Sequence, residues 1–180
     1  MQPQLQEVAD DLRAASERLA RLAAAVPAPR WPTRNDPARW SVSECIDHLN
    51  LTSAAFVPLL EAGIAEARGR KPAPRRYRRG FLGWALYKMT GPDARGRLQT
   101  TAPFVPSEAR EAGAVRADFA RWQDRLLALL AAADGLPLDE VSLTSPFNAR
   151  MRYNLYAAFS IVPRHQHRHL QQAERVWAPD

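Results

Sequence analysis

The chain has four histidines, His48, His165, His167 and His169, and three of them fall in the run Pro163-Arg164-His165-Gln166-His167-Arg168-His169-Leu170. On a helix, His165 and His169 are separated by i and i+4, so both imidazoles project from one face, one turn apart. Their ring nitrogens can then converge on one metal ion. His167 lies about 200° around the helix from His165 and cannot join that pair while the helix is regular. His48, more than a hundred residues earlier, is a possible third nitrogen from across a helical core. Three neutral imidazoles leave coordination positions open for water or substrate, as catalytic rather than closed structural sites do. A divalent ion held this way lowers the pKa of a bound water or thiol. No Glu follows His165, so the HExxH pattern with its built-in general base is absent. On spacing alone, the competing arrangement is a polar, solvated C-terminal helix with His48 as a hydrogen-bonded core residue.

These residues need helices to position them, and the sequence supplies four long candidates. The first spans about Gln4 to Ala25, where Leu5, Val8, Leu12, Leu19 and Leu22 approximate one apolar stripe among good helix formers. Pro27, Pro29, Pro32 and Pro37 then impose an extended loop. The second starts at Ser41, which forms a capping box with Glu44, behind an apolar Trp40 staple. It runs to about Ala67, with Pro58 expected to kink or divide it. The third begins at Ser107 and carries Val115, Phe119, Trp122, Leu126 and Leu130 to about Gly135. The fourth runs from about Arg152 to Trp177, with Pro163 expected to kink or restart it. Residues from about Gly69 to Pro106 form a long irregular crossover, with a helical turn or two possible at Phe81 to Met89. No convincing strand alternation and no internal repeat is present. The expected fold class is all-α, an antiparallel-type four-helix bundle with long crossover connections, as a single domain over residues 1–180.

Composition bounds the function. The 180 residues are 46% apolar and 24% charged, ordinary for a globular chain with a sizeable core. No stretch approaches the ~18 uncharged apolar residues of a membrane span, so no membrane partner is expected. The N-terminal residues do not form a signal peptide, and the single cysteine, Cys45, excludes a disulfide framework and multi-cysteine metal sites. A cytoplasmic protein is the default. The net charge of +6 is concentrated between Arg68 and Arg97, where ten basic residues stand against one acid, Asp93. Such a segment attracts phosphate, nucleic acid or an anionic surface, or it is simply a solvated loop. No phosphate loop or nucleic-acid motif accompanies it, so nucleic acid is not an expected partner.

Two motifs resemble those of the DinB-like superfamily of bacterial four-helix proteins. Trp40-Ser41-Val42-Ser43-Glu44-Cys45-Ile46-Asp47-His48-Leu49 is similar to the family's W-S-x-x-E-x-x-x-H-L. The stretch from His165 to Gln172 is similar to its H-x-x-x-H-L-x-Q. Ser145-Pro146-Phe147-Asn148 stands where many members have a Pro-aromatic-Gly turn. The resemblance covers nearly the whole chain. It implies a metal site formed by His48, His165 and His169, holding a divalent ion that is commonly zinc or nickel. It further implies a small-molecule substrate, with a low-molecular-weight thiol as co-substrate in the S-transferase relatives, and frequent homodimers.

Neighbouring groups divide between site and scaffold. Cys45 could ligate or react, or be a small buried apolar residue. Glu44 could orient His48 or act as a base, against its capping role. Gln172 shares a face with His169 and can hydrogen-bond at the site. Asp47 is expected in solvent, Trp40 and Trp122 in the core. Phe81, Trp84 and Tyr87 fit core packing or the mouth of a metal pocket. The functions in competition are a metal-dependent transferase or hydrolase, a non-catalytic and perhaps stress-related bundle with a structural or vestigial metal site, and an anionic-surface or nucleic-acid binder acting through the basic segment.

Overall fold

The computed structural model describes residues 1–71, 76–94 and 100–178. Arg75, Arg95 and Arg97 of the basic segment lie outside them. The described residues form helices α1 (Pro3–Ala25), α2 (Val42–Arg68), α3 (Gly80–Met89), α4 (Ala112–Ala132) and α5 (Leu155–Trp177), and a small antiparallel hairpin of β1 (Ser142–Thr144) and β2 (Arg152–Asn154). The fold is mostly helical, as the apolar periodicities predict. Two elements go beyond the sequence reading. The stretch at Phe81–Met89 lies in a ten-residue helix, Gly80–Met89, and a hairpin exists where no strand is expected. Its strands are three residues long, too short for a period-two pattern to register.

The bundle is built from α1, α2, α4 and α5. Helices α1 and α2 each pack against both α4 and α5. The arrangement is not wholly antiparallel. Paired contacts ascend together between α1 and α5 (Gln4 to Tyr156, Arg18 to Glu174) and between α2 and α4 (Asn50 to Val115, Glu61 to Arg125). These pairs therefore run parallel. The long connection from α2 to α4 makes this possible, because it returns the chain to the end where α2 began.

Local chemistry sets the helix ends. Ser41 and Glu44 form the expected capping box at α2: Glu44 N donates to Ser41 Oγ at 3.2 Å and Ser41 N to Glu44 Oε2 at 2.8 Å. Helix α4 starts at Ala112 rather than Ser107. The Arg110 side chain is held by Asp47 (2.8 Å) and Asp118 (2.9 Å), and its carbonyl accepts from Ser43 Oγ, which anchors the approach to the helix against α2. Pro58 and Pro163 both lie inside continuous helices. Each removes one backbone donor, yet packing of the surrounding apolar residues keeps the helix whole.

Two apolar clusters fill the bundle. The larger includes Leu5, Leu60, Leu126 and Phe159, and the other Leu22, Trp31, Ile46, Phe119 and Leu170. Buried polar groups link helices: Gln123 donates to Leu12 O at 2.7 Å and accepts from Gln166 at 2.8 Å. Such internal bonds fix helix register, because an unmatched buried amide is expensive.

Candidate metal centre

Helix α2 carries His48 on its inner face and α5 presents His165 and His169 toward it. One ring nitrogen from each of the three lies within 4.8 Å of the other two. The His48 Nε2 and His165 Nε2 atoms are 3.3 Å apart. Ring centroids are 4.4 Å (His48–His169), 4.5 Å (His165–His169) and 5.1 Å (His48–His165) apart. Pro163 does not disturb the one-turn spacing. His48 is only 2% exposed, whereas His165 and His169 are partly exposed.

Hydrogen bonds fix which nitrogens are available. His48 Nδ1 donates to the Phe104 carbonyl at 2.7 Å. A carbonyl only accepts, so the proton sits on Nδ1 and the Nε2 lone pair points into the cluster. His169 Nδ1 donates to Gln172 Oε1 at 3.0 Å, with the same consequence. Burial pulls the His48 pKa below its ordinary value, against the Phe104 bond. Burial, with the neighbouring imidazoles adding to it, takes His165 well below the ordinary range, and burial followed by the charge of His48 takes His169 down to about 3. All three rings are thus neutral donors at physiological pH.

The donor set fits a divalent cation. Zn–N bonds of about 2.0–2.1 Å at tetrahedral angles place two nitrogens roughly 3.3–3.4 Å apart, and His48 and His165 are separated by 3.3 Å. Aromatic rings wall the cluster. Trp40 lies 5.0 Å from His48 and 6.2 Å from His169, and Phe147 lies 5.9 Å from His165 and 4.7 Å from Phe104.

The other candidate residues separate cleanly. Gln172 meets the site through His169. Glu44 does not: its carboxylate is engaged by Arg34, whose Nε donates at 2.8 Å, and by Ser41. Burial opposes its charge, but those bonds prevail and hold its carboxyl below the ordinary value. Cys45 is fully buried in the smaller apolar cluster and outside the imidazole group, and burial pushes its thiol up to about 12. Asp47, expected in solvent, is buried and paired with Arg110. His167 turns away and donates through Nε2 to Asp11 O at 3.2 Å. Phe81 and Trp84, expected in the core or at the pocket mouth, are 85% and 52% exposed.

Sequence reasoning missed Phe104, Phe147 and the second role of Trp40. Trp40 was legible, since it stands in the first motif, but its apolar character suggested core alone. The Phe104 contribution is a backbone carbonyl and leaves no sequence signal.

A family model described as the DinB superfamily matches residues 11–173. No curated protein and no solved structure matches the chain.

Proposed function

We propose that this chain, which belongs to the DinB superfamily, binds one divalent metal through His48, His165 and His169 and is a metal-dependent transferase of the thiol S-transferase type. The convergence of three neutral imidazoles, each offering one nitrogen within 4.8 Å of the others, carries this reading. Zinc or nickel suits an all-imidazole donor set. Bound there, the cation would supply the positive charge that ionises a thiol at neutral pH.

The chain's own residues supply the rest. Phe104 and Gln172 hold the His48 and His169 rings with their lone pairs inward. Trp40 and Phe147 shield one side from water and strengthen electrostatic attraction there. Glu44 is committed to Arg34 and Ser41, and Asp47 to Arg110, so neither carboxylate is a free base for the site. A cation held there would lower the pKa of a bound water and of a bound thiol alike; the thiol is preferred on the resemblance to the S-transferase relatives.

Zinc or nickel loading followed by elemental analysis tests this. About one metal per chain is expected, falling to trace levels in His48→Ala and His169→Ala that retain helical circular dichroism. A panel of low-molecular-weight thiols against a simple electrophile then reads transfer. Absence of stoichiometric metal ends the proposal. Metal without thiol turnover, together with a large stabilisation by metal, favours the alternative of a non-catalytic bundle with a structural ion.

A further inference from the structure

Helix α3 has two faces. Gly83, Leu86 and Tyr87 turn inward. A Cβ added at Gly83 would lie 2.5 Å from the Ala157 Cβ, so only glycine lets α3 approach α5 this closely. Leu86 and Tyr87 pack against the larger cluster. The Arg79 and Arg164 guanidiniums lie 4.2 and 4.9 Å from the Tyr87 ring centre and clamp the helix to α5. The outer face follows the spacing 81, 84, 85, 88 and holds Phe81, Trp84, Ala85 and Lys88. Phe81 is the most exposed large apolar residue described, and Met89 beside this face is also exposed. No acid lies within α3.

Basic residues flank the apolar row in sequence, and one acid, Asp139, accepts from the Arg78 backbone N–H at 3.3 Å. Arg76 and Arg78, in the segment entering the helix, are exposed, as are Lys88 on the outer face and Arg68 and Lys71 before it. Arg70 is set aside because it pairs with Glu66. The nearest acid downstream, Asp93, leans toward Arg164 at 3.7 Å. Two large exposed rings, with Lys88 on the same face and exposed arginines in the segment entering the helix, suit a partner that is both apolar and negatively charged. A second copy of the chain fits that description poorly, since a two-fold contact would bring an equally basic face, with no acid on its helix, against this one. A nucleic-acid strand calls for a groove that tracks its backbone, whereas these rings stand in one row along the outside of a helix. A helix with aromatic residues on one side and cations around them suits a bilayer interface, lying in its plane.

We infer that the outer face of α3 docks on an anionic lipid surface, with Phe81 and Trp84 entering the headgroup region and Lys88, Arg76 and Arg78 contacting lipid phosphates. No described helix is long and apolar enough to cross a membrane, and a shallow contact needs no such helix. The inference is independent of the metal site.

The test is co-sedimentation of the full chain with phosphatidylcholine vesicles, with and without phosphatidylglycerol, at low and high salt. Binding confined to the anionic vesicles and weakening with salt is expected. Lys88→Gln should weaken it about five-fold, and Phe81→Ser combined with Trp84→Ser by tenfold or more. All three positions are exposed, so circular dichroism and metal content should not change. No binding to anionic vesicles at low salt overturns the inference. Equal binding to neutral vesicles overturns it too, as does a dimer in light scattering that the Phe81/Trp84 double variant dissociates.

Discussion

Two of the three imidazoles have their proton fixed by a neighbour, and the two neighbours differ in kind. Gln172 is a side chain and can be removed. Gln172→Ala frees His169 to turn and to move its proton, so metal affinity should fall about 10- to 100-fold while the fold is retained. Isothermal titration with zinc measures it, and Gln172→Glu should restore most of the loss because a carboxylate also accepts. Cys45 makes the opposite prediction. Its thiol is buried and held up to about 12, so Cys45→Ala should leave metal content unchanged, and the native thiol should resist alkylation until denaturant is added. Detectable alkylation of the folded protein would contradict this. Acid should act through the same imidazoles. Their folded pKa values lie below the ordinary 6.5, so below that pH the unfolded chain takes up protons that the folded chain refuses. The metal-free protein should therefore hold full stability above about pH 6.5 and lose it progressively as pH falls toward about 3. Thermal melting across that range, with chelator present, measures the slope; a flat profile would show the rings to be solvated.

At the scale of elements, much of the architecture was legible. The capping box at Ser41, the stripe from Leu5 to Leu22 and the His165/His169 pair each follow from spacing that one turn of helix repeats. What escaped notice depends on contacts that no local pattern encodes. Asp47 reads as a surface acid until Arg110, sixty-three residues away, is placed against it. Phe81 and Trp84 read as core or as the mouth of a metal pocket because apolar type alone does not say which way a short helix turns. The parallel pairing of α2 with α4 depends on the path of the crossover, which has no periodicity to read. Gly83 faces Ala157 where α3 meets α5. Gly83→Ala should push the helices apart and destabilise the fold by about 1–3 kcal/mol through overpacking, read as a lower denaturation midpoint. Metal binding in the folded fraction should be unaffected, since the imidazoles face α2.

For the whole molecule, the three imidazoles bring α2 and α5 together across the bundle, and a cation held by them would tie the two helices. Ligands from helices distant in sequence meet only in the folded chain, so metal binding is linked to folding. Zinc at about 100 times its dissociation constant should stabilise the protein by roughly 2.7 kcal/mol, which for a chain of this size raises the melting temperature by several degrees. Chelator should reverse the shift, and His165→Ala should abolish it. An unchanged melting temperature on adding zinc would mean that the three rings do not act as one site.

The bond from His48 to Phe104 ends on a main-chain oxygen, an atom that every residue type possesses. Point substitution at position 104 can change the ring beside the centre but cannot delete that acceptor. The tautomer of the buried His48 ring is therefore insulated from mutation at its own partner and answers instead to the route the chain takes. Insertions or deletions that reroute the crossover would disturb the donor set where single replacements would leave it intact.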